Sequence, residues 1–414
     1  MMHVKQTHAC RFCGCGLDHV FVDLGLTPLA NRNLRADEIS AEQSYPLVAR
    51  VCKSCFLVQV DDSVAPEAIF SDYDYFSSYS DSWVAQARAY AAEMIARFNL
   101  DATSRVVEVA SNDGYLLQHF VAAGVPVLGI EPAANVAAAA RQRNIPTEIA
   151  FFGTNTAKAL LERGVTADLT VANNVLAHVP AISDFVSGFA AILKPHGVAT
   201  FEFPHVLNLI EKLQFDTIYH EHFSYLSMLT TERIFAANGL RLFDVEEITT
   251  HGGSLRAYAC LAGAKHAVTQ RVAELRERER QAGLDSLSGY EGFADRVAGV
   301  KRGFQAFLAE AKTAGRSVAA YGAAAKGNTF LNVCKATADD VIEVYDRSLA
   351  KQGKMLPGTH IPIVDPERMR TTKPDYLIVL PWNLLGEVQG AMRHLGDWGG
   401  RFVVAIPQVR IFDA

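Results

Sequence analysis

The chain has few of the features that mark membrane, secreted or nucleic-acid-binding proteins. None of its 414 residues lies in an apolar run long enough to span a bilayer. Met1 to Cys10, which includes His3 and Lys5, holds no signal-peptide core. The expected location is therefore the cytoplasm. There is no excess of charge either. The 39 basic and 45 acidic residues, net charge -6, are spread along the sequence and leave no footprint for nucleic acid or an anionic membrane. A small-molecule substrate follows by default, handled by a monomer or small homo-oligomer. Low-complexity segments and short-period repeats are lacking. Seven cysteines is an odd number for a disulfide framework, and four of them form two CxxC pairs, which in a reducing compartment read as metal ligands.

Half the residues are hydrophobic and a fifth charged, the composition of a folded chain. Its length exceeds what one core organises, so two or three domains are expected. Residues 1–75 lack helical periodicity and look too small for their own core. Cys10-x-x-Cys13 and Cys52-x-x-Cys55 can each close a knuckle, and four thiolates complete a tetrahedral, structural Zn2+ site without an open position. Cys15 is a competing ligand, and unliganded reduced cysteines are the plainer alternative.

From Trp83 the pattern becomes α/β: a helix to Phe98, then strands at 105–110, 125–131, 169–172 and 197–203, with a helix from Ile182 to Leu193. Strands alternating with helices predict a doubly wound parallel sheet, with ligands at its carboxyl edge. Charged helices over about 266–314 form a linker. A second alternating series (317–321, 341–345, 376–380, 402–406) predicts a smaller α/β domain. The expected division is a zinc-binding module at 1–75, a cofactor-binding domain at 76–262 and a C-terminal α/β domain at 263–414.

Glu108-Val109-Ala110-Ser111-Asn112-Asp113-Gly114 is a strand, tight loop and helix start without the GxGxxG of a pyrophosphate binder. That is the form taken in class I methyltransferases, whose ligand carries a methionine ammonium and a sulfonium instead of phosphates. Glu131, followed by Pro132, ends the next strand, where a carboxylate can accept both ribose hydroxyls; alone it would be a solvated strand end. Glu108, Ser111, Asn112, Asp113, Gly114, Glu131, Pro132, Asn173 and Asn174 are the candidate S-adenosylmethionine contacts, with S-adenosylhomocysteine as product. His178, close behind Asn173-Asn174, is a candidate at the acceptor.

Tyr219-His220-Glu221-His222 is the densest cluster of ionisable groups in the chain. A histidine base, an adjacent carboxylate that could orient it and a tyrosine hydroxyl are what is needed to take a proton from carbon and steady an enolate. His220-x-His222 on one metal and a purely structural cluster are the alternatives. His251-Gly252-Gly253-Ser254-Leu255-Arg256 and Tyr321-Gly322-Ala323-Ala324-Ala325-Lys326 place small residues before a cation. Such stretches suit a diphosphate, though turn-forming glycine explains them equally. His251, Gly252, Arg256 and Lys326 are the substrate candidates.

The order of these motifs, together with Tyr73-Asp74-Tyr75-Phe76-Ser77-Ser78, resembles the nucleotide-deoxysugar C-methyltransferases, the family of the tetronitrose sugar C-3-methyltransferase, over nearly the whole chain. The resemblance implies a zinc module, a middle domain that binds S-adenosylmethionine, and a nucleoside-diphosphate 4-keto-sugar (thymidine by default) in the cleft before the last domain. It also places Tyr219, Glu221 and His222 at the reacting carbon, with His178 and Tyr73 or Tyr75 nearby. The sequence departs from the family at His220, where Asp is usual, and at Ala110-Ser111 in place of Gly-Cys, so Ser111 carries no role beyond its place in the loop. An O- or N-methyltransferase on the same scaffold and a non-catalytic zinc scaffold are the rival readings.

Overall fold

The computed structural model describes residues 8–61, 77–79 and 81–414, and for Tyr79, Asp81, Ser82 and His251 the backbone alone. Tyr73 and Tyr75 lie outside the described residues. Three sheets form among them.

The first is antiparallel, built from His19–Thr27 (β1), Tyr45–Val51 (β2), Val58–Val60 (β3) and a two-residue strand from the middle of the chain, Ser224–Tyr225 (β9). The N-terminal module is thus completed by a segment that directly follows the Tyr219–His222 cluster, through the Val58–Tyr225 and Gln59–Ser224 pairs. A sheet this small would otherwise leave β3 as an open edge.

The second sheet runs Leu240–Ile248 (β10), Ser254–Leu261 (β11), Leu193–Pro204 (β8), Ala167–Asn173 (β7), Val106–Val109 (β4), Val127–Ile130 (β5), Thr147–Glu148 (β6). The strands from β6 to β8 are parallel, and β11 is antiparallel to both neighbours. All four side chains of β4, Val106-Val107-Glu108-Val109, are buried, as required of a central strand covered on both faces. The chain leaves β4 toward β5 and β6 and returns to β7 on its other side. The loops after β4 and β7 therefore part and open a crevice at their carboxyl ends.

The third sheet runs Ile363–Val364 (β14), Val344–Tyr345 (β13), Val318–Tyr321 (β12), Tyr376–Val379 (β15), Arg401–Val404 (β16), Arg410–Asp413 (β17), parallel except for the last. Sequence reading misses β14, two residues long, and β17, four residues long with only Ile411 and Phe412 apolar.

The charged segment does more than link. Its first helix, Gln270–Gln281, packs Val272 and Leu275 into the core beneath Phe201 and Phe235. Glu279 of that helix is fully buried and accepts from His205 Nε2 (2.6 Å) and from the Met228 and Leu229 amides (2.7 and 2.8 Å), capping the helix Met228–Ala237. The second helix, Phe293–Thr313, stacks Phe293 on Phe21 of β1 (4.3 Å between ring centres) and shares a core with Phe330 and Ala320. The first and third sheets are thus held in one hydrophobic cluster.

Candidate active site

Two knuckles bring four sulfurs together. Each ends on a left-handed residue, Gly14 (φ 74°) and Phe56 (φ 62°), whose amide returns to the carbonyl of the first cysteine, Cys10 or Cys52 (2.9 Å in both). The Sγ atoms of Cys10, Cys13, Cys52 and Cys55 lie within 4.8 Å of one another, with Cys10–Cys55 at 3.5 Å and Cys13–Cys52 at 3.4 Å. Tetrahedral Zn2+ with bonds of about 2.3 Å sets its sulfurs about 3.8 Å apart, so the donor set fits. Cys15 is not part of the group. Gln59 Nε2 donates to Cys10 Sγ (3.2 Å) and the Ser54 amide to Cys52 Sγ (3.4 Å), as thiolates require. Arg233 and Thr230 of the helix Met228–Ala237 donate to the Ser54 and Cys55 carbonyls, which fastens the second knuckle to the middle domain.

At the crevice, the loop after β4 holds Ala110, Asn112 and Gly114 at φ 55°, 50° and 79°, a tight path over β5. It passes so close that a Cβ on Gly129 would meet Ser111 Oγ at 2.4 Å. Glu131 follows β5, and each of its oxygens accepts one amide, from Asn112 and from Ala133 (2.9 Å each). Pro132 leads into the helix Ala134–Gln142. Glu108 is fully buried, and desolvation, then the neighbouring Glu131 and Asp113, raise its carboxyl well above the usual carboxylate range. Asp113 is engaged with Ser78 and with Arg143 Nη1 (3.2 Å), and Asn112 Oδ1 accepts the Ser77 amide (2.9 Å), so this loop also anchors the turn 77–79. Among the described residues, Glu108 Oε2, Ser111 Oγ, Asp113 Oδ1, Asn173 Oδ1 and Asn174 Oδ1 are buried without a hydrogen-bond partner. Buried polar atoms are rarely left so, and their convergence at this edge fits a polar ligand such as S-adenosylmethionine.

The Tyr219–His222 segment stands between this crevice and the C-terminal domain. His222 Nδ1 lies 2.9 Å from the Thr217 carbonyl and Nε2 2.8 Å from the Tyr219 hydroxyl. A carbonyl only accepts, so Nδ1 carries the hydrogen and Nε2 accepts from Tyr219. It is Thr217, and not Glu221, that orients His222. The Glu221 carboxylate turns instead to Asn31 of the β1–β2 loop, whose Nδ2 is 2.9 and 2.7 Å from its two oxygens; burial raises this acid to about 7, against the pull of Asn31. His178 Nδ1 donates to the Glu221 carbonyl (2.8 Å), its ring is 4.6 Å from that of His222, and burial lowers it to about 4, hence neutral. His220 faces elsewhere, its Nε2 3.2 Å from the Pro46 carbonyl, so the His220–His222 metal alternative has no geometry behind it.

The expected diphosphate cations divide. Arg256 is an internal residue: it pairs across strands with Glu202 (3.3 Å) and Glu246 (3.4 Å) and lies over Tyr90 (4.6 Å). Its charge is already matched within the sheet, and the reading of it as a phosphate ligand is replaced by this structural one. Gly252 (φ 90°) and Gly253 (φ 120°) make a turn only glycine adopts readily, and a Cβ on Gly252 would meet Trp382 of the C-terminal domain at 2.5 Å. His251 lies on that turn. Lys326 is half-buried opposite Asp216 with its Nζ 5.4 Å from the Trp382 ring centre, while Trp382 Nε1 donates to Asp216 Oδ2 (2.8 Å). Next to it, Ala325 packs with Ala30 and Tyr219. One residue from each of the three parts of the chain therefore meets at the tyrosine. Asn31, Thr217 and Trp382 were not singled out in the sequence, and no local pattern marks them.

A parallel sheet of this strand order, with an acid at the end of its second strand and a four-sulfur metal site in front, defines a class I methyltransferase with a zinc-binding module. Three family descriptions match in register with it: a zinc binding domain over residues 10–70, a methyltransferase domain over 83–245 and a C-methyltransferase C-terminal domain over 249–407. The C-methyltransferase NovU of Streptomyces niveus is 35% identical over 99% of this chain and 98% of its own length. The chain belongs to this C-methyltransferase family, as an S-adenosylmethionine-dependent enzyme with a structural zinc ion. A ubiquinone biosynthesis O-methyltransferase of Rhodopseudomonas palustris (strain TIE-1) is 29% identical over 23% of this chain and 37% of that protein. The SAM-bound magnesium protoporphyrin IX methyltransferase from Synechocystis PCC 6803 is 16% identical, covering 48% of this chain and 98% of that one with a TM-score of 0.36, too loose a likeness to argue from. Among the described residues no helix is long and apolar enough to cross a membrane.

Proposed function

We propose that the enzyme methylates a carbon alpha to the keto group of a nucleoside-diphosphate 4-keto-deoxysugar, thymidine-linked by family resemblance, through an enolate. The observation that carries this reading is the Tyr219–His222 dyad. A ketone alpha-proton is a poor acid, so removing it needs a base whose conjugate acid is stabilised where it forms. The proton leaving carbon passes to the Tyr219 oxygen as the Tyr219 proton moves to His222 Nε2. The resulting imidazolium is held by the Thr217 carbonyl beside the developing enolate.

S-adenosylmethionine supplies the electrophilic methyl group of its sulfonium. Glu131 is proposed to accept the ribose hydroxyls, its free lone pairs aimed by the Asn112 and Ala133 amides; Ser111, Gly114, Asn173 and Asn174 line the remaining crevice, with buried Glu108 beneath. Asp113 holds the loop. His178, neutral and fixed through Nδ1, packs against His222 on the acceptor side. Lys326 and the 251–253 turn flank the cleft where the nucleotide would lie, and Tyr73 and Tyr75 retain their place as acceptor-side candidates. The same reading places the enzyme in the cytoplasm, where the zinc thiolates stay reduced, on a small-molecule substrate.

The test is mass spectrometry of products from a panel of nucleoside-diphosphate 4-keto-sugars, with alpha-deuterium exchange followed in the same samples. A new C-methyl with enzyme-dependent exchange is expected. Methylation on oxygen or nitrogen without exchange would replace this reading.

A further inference from the structure

The module that holds the zinc also reaches the reacting cluster. The loop between β1 and β2 is tied to the C-terminal domain by paired backbone bonds between Leu34 and Met355 (2.9 and 2.8 Å) and by Glu42, which accepts from the Gly358 amide and pairs with His360 Nε2 (2.7 Å each). Between β1 and these ties, Ala30 packs on Tyr219 and Asn31 spans both Glu221 oxygens. Glu221 is buried, yet among the described residues no lysine, arginine or histidine pairs with its carboxylate. The nearby titratable groups are otherwise engaged: His178 bonds the Glu221 carbonyl, Tyr219 and His222 bond each other, and Lys326 faces Asp216. An amide NH2 can only donate, so the bond it makes to both oxygens favours the ionised acid. Asn31 is the group that opposes the burial penalty there.

We propose that Asn31 is a positioning residue for methyl transfer, keeping the Glu221 carboxylate ionised and in place, so that the zinc module acts on the reaction through one side chain besides supporting the fold. The inference rests on the reading that places Glu221 at the reacting carbon. Its negative charge, adjacent in the chain to His222, favours the imidazolium that forms when the dyad takes a proton. Asn31 is itself exposed, so replacing it removes little packing.

The experiment uses the full-length, zinc-loaded protein. Infrared difference spectra against Glu221→Gln isolate the protonated Glu221 band, which is titrated in the wild type, Asn31→Ala and Asn31→Asp. In Asn31→Ala the band should persist to a pH higher by about one unit or more, and further in Asn31→Asp, where a second carboxylate faces the first. Zinc content and S-adenosylmethionine affinity should stay at wild-type values. With a thymidine-diphosphate 4-keto-6-deoxyhexose as substrate, the acid limb of the turnover profile should move up by the same amount, with rate recovered at higher pH; a merely structural role lowers the rate at every pH and leaves the limb in place. A Glu221 titration unmoved in Asn31→Ala overturns the proposal, and if that variant loses zinc, Asn31→Ser is judged by the same band. Wild-type turnover by Glu221→Gln would refute the placement of Glu221 at the reaction, while the infrared titration still decides whether Asn31 controls its charge.

Discussion

The Tyr219 hydroxyl lies 2.8 Å from Nε2 of His222, whose other ring nitrogen is spent on the Thr217 carbonyl. Both ring nitrogens are thus engaged within the protein, and under the proposed function the two residues act as one unit with tyrosine in front.

Removing either partner should disable the unit. His222→Asn and Tyr219→Phe are each expected to lower turnover by about 100-fold or more, with S-adenosylmethionine affinity almost unchanged, and the double variant should be little worse than the slower single one. Steady-state rates with calorimetric cofactor binding check this. Near wild-type methylation by both variants would move the base to His178.

Glu221 should make stability fall with rising pH. Its folded value, about 7, lies above the ordinary 4.5, so the folded state binds the proton more tightly, and this stabilisation is complete below 4.5 and lost as pH climbs through 7. Glu221→Gln removes that dependence. It should be more stable than the wild type at pH 8, by roughly 2–3 kcal/mol as an upper figure, with the gain shrinking toward pH 5. Denaturant midpoints across this range give the answer, and a constant difference would remove Glu221 as its source.

About one zinc per chain is expected by elemental analysis. Replacing Cys52 and Cys55 together by serine should abolish it and cost several kcal/mol of stability, because metal binding in so small a module is folding energy. Zinc retained in full by that variant would mean other ligands.

Glu131→Ala should weaken S-adenosylmethionine binding by about 10- to 100-fold, the loss of a charge-assisted acceptor of roughly 1.5–3 kcal/mol. The Asn112 and Ala133 amides lose their partner in the same change, so Glu131→Gln, which keeps one acceptor oxygen, should fall between the two. A dissociation constant unchanged in both variants puts the ribose contact elsewhere.

How much was legible follows the reach of each signal. The four cysteines could be read because a knuckle is local, closed by two residues and a left-handed turn. The place of the Glu108–Gly114 loop after one strand and of Glu131 after the next could be read because a strand end and the next strand's acid stand at a fixed interval in any such crossover; their contact with the cofactor is the proposal. Arg256 was misread for the same reason: small residues before a cation look alike whether the cation meets phosphate or the cross-strand Glu202 and Glu246. Asn31 and Trp382 carried no signal, since each acts on a residue far away in the chain.

Sequence alone determined the class of sheet, the metal donor set and the loops at the sheet's carboxyl edge, all consequences of periodicity and short-range spacing. Only the tertiary structure decided which groups touch at the reacting cluster: that Thr217 orients His222, that His220 turns away, that Glu221 answers to Asn31. Those choices depend on side-chain direction and on burial among three parts of the chain. Neither exists until the parts have packed, because the low dielectric that lowers His178 and raises Glu221 is made by the packing itself.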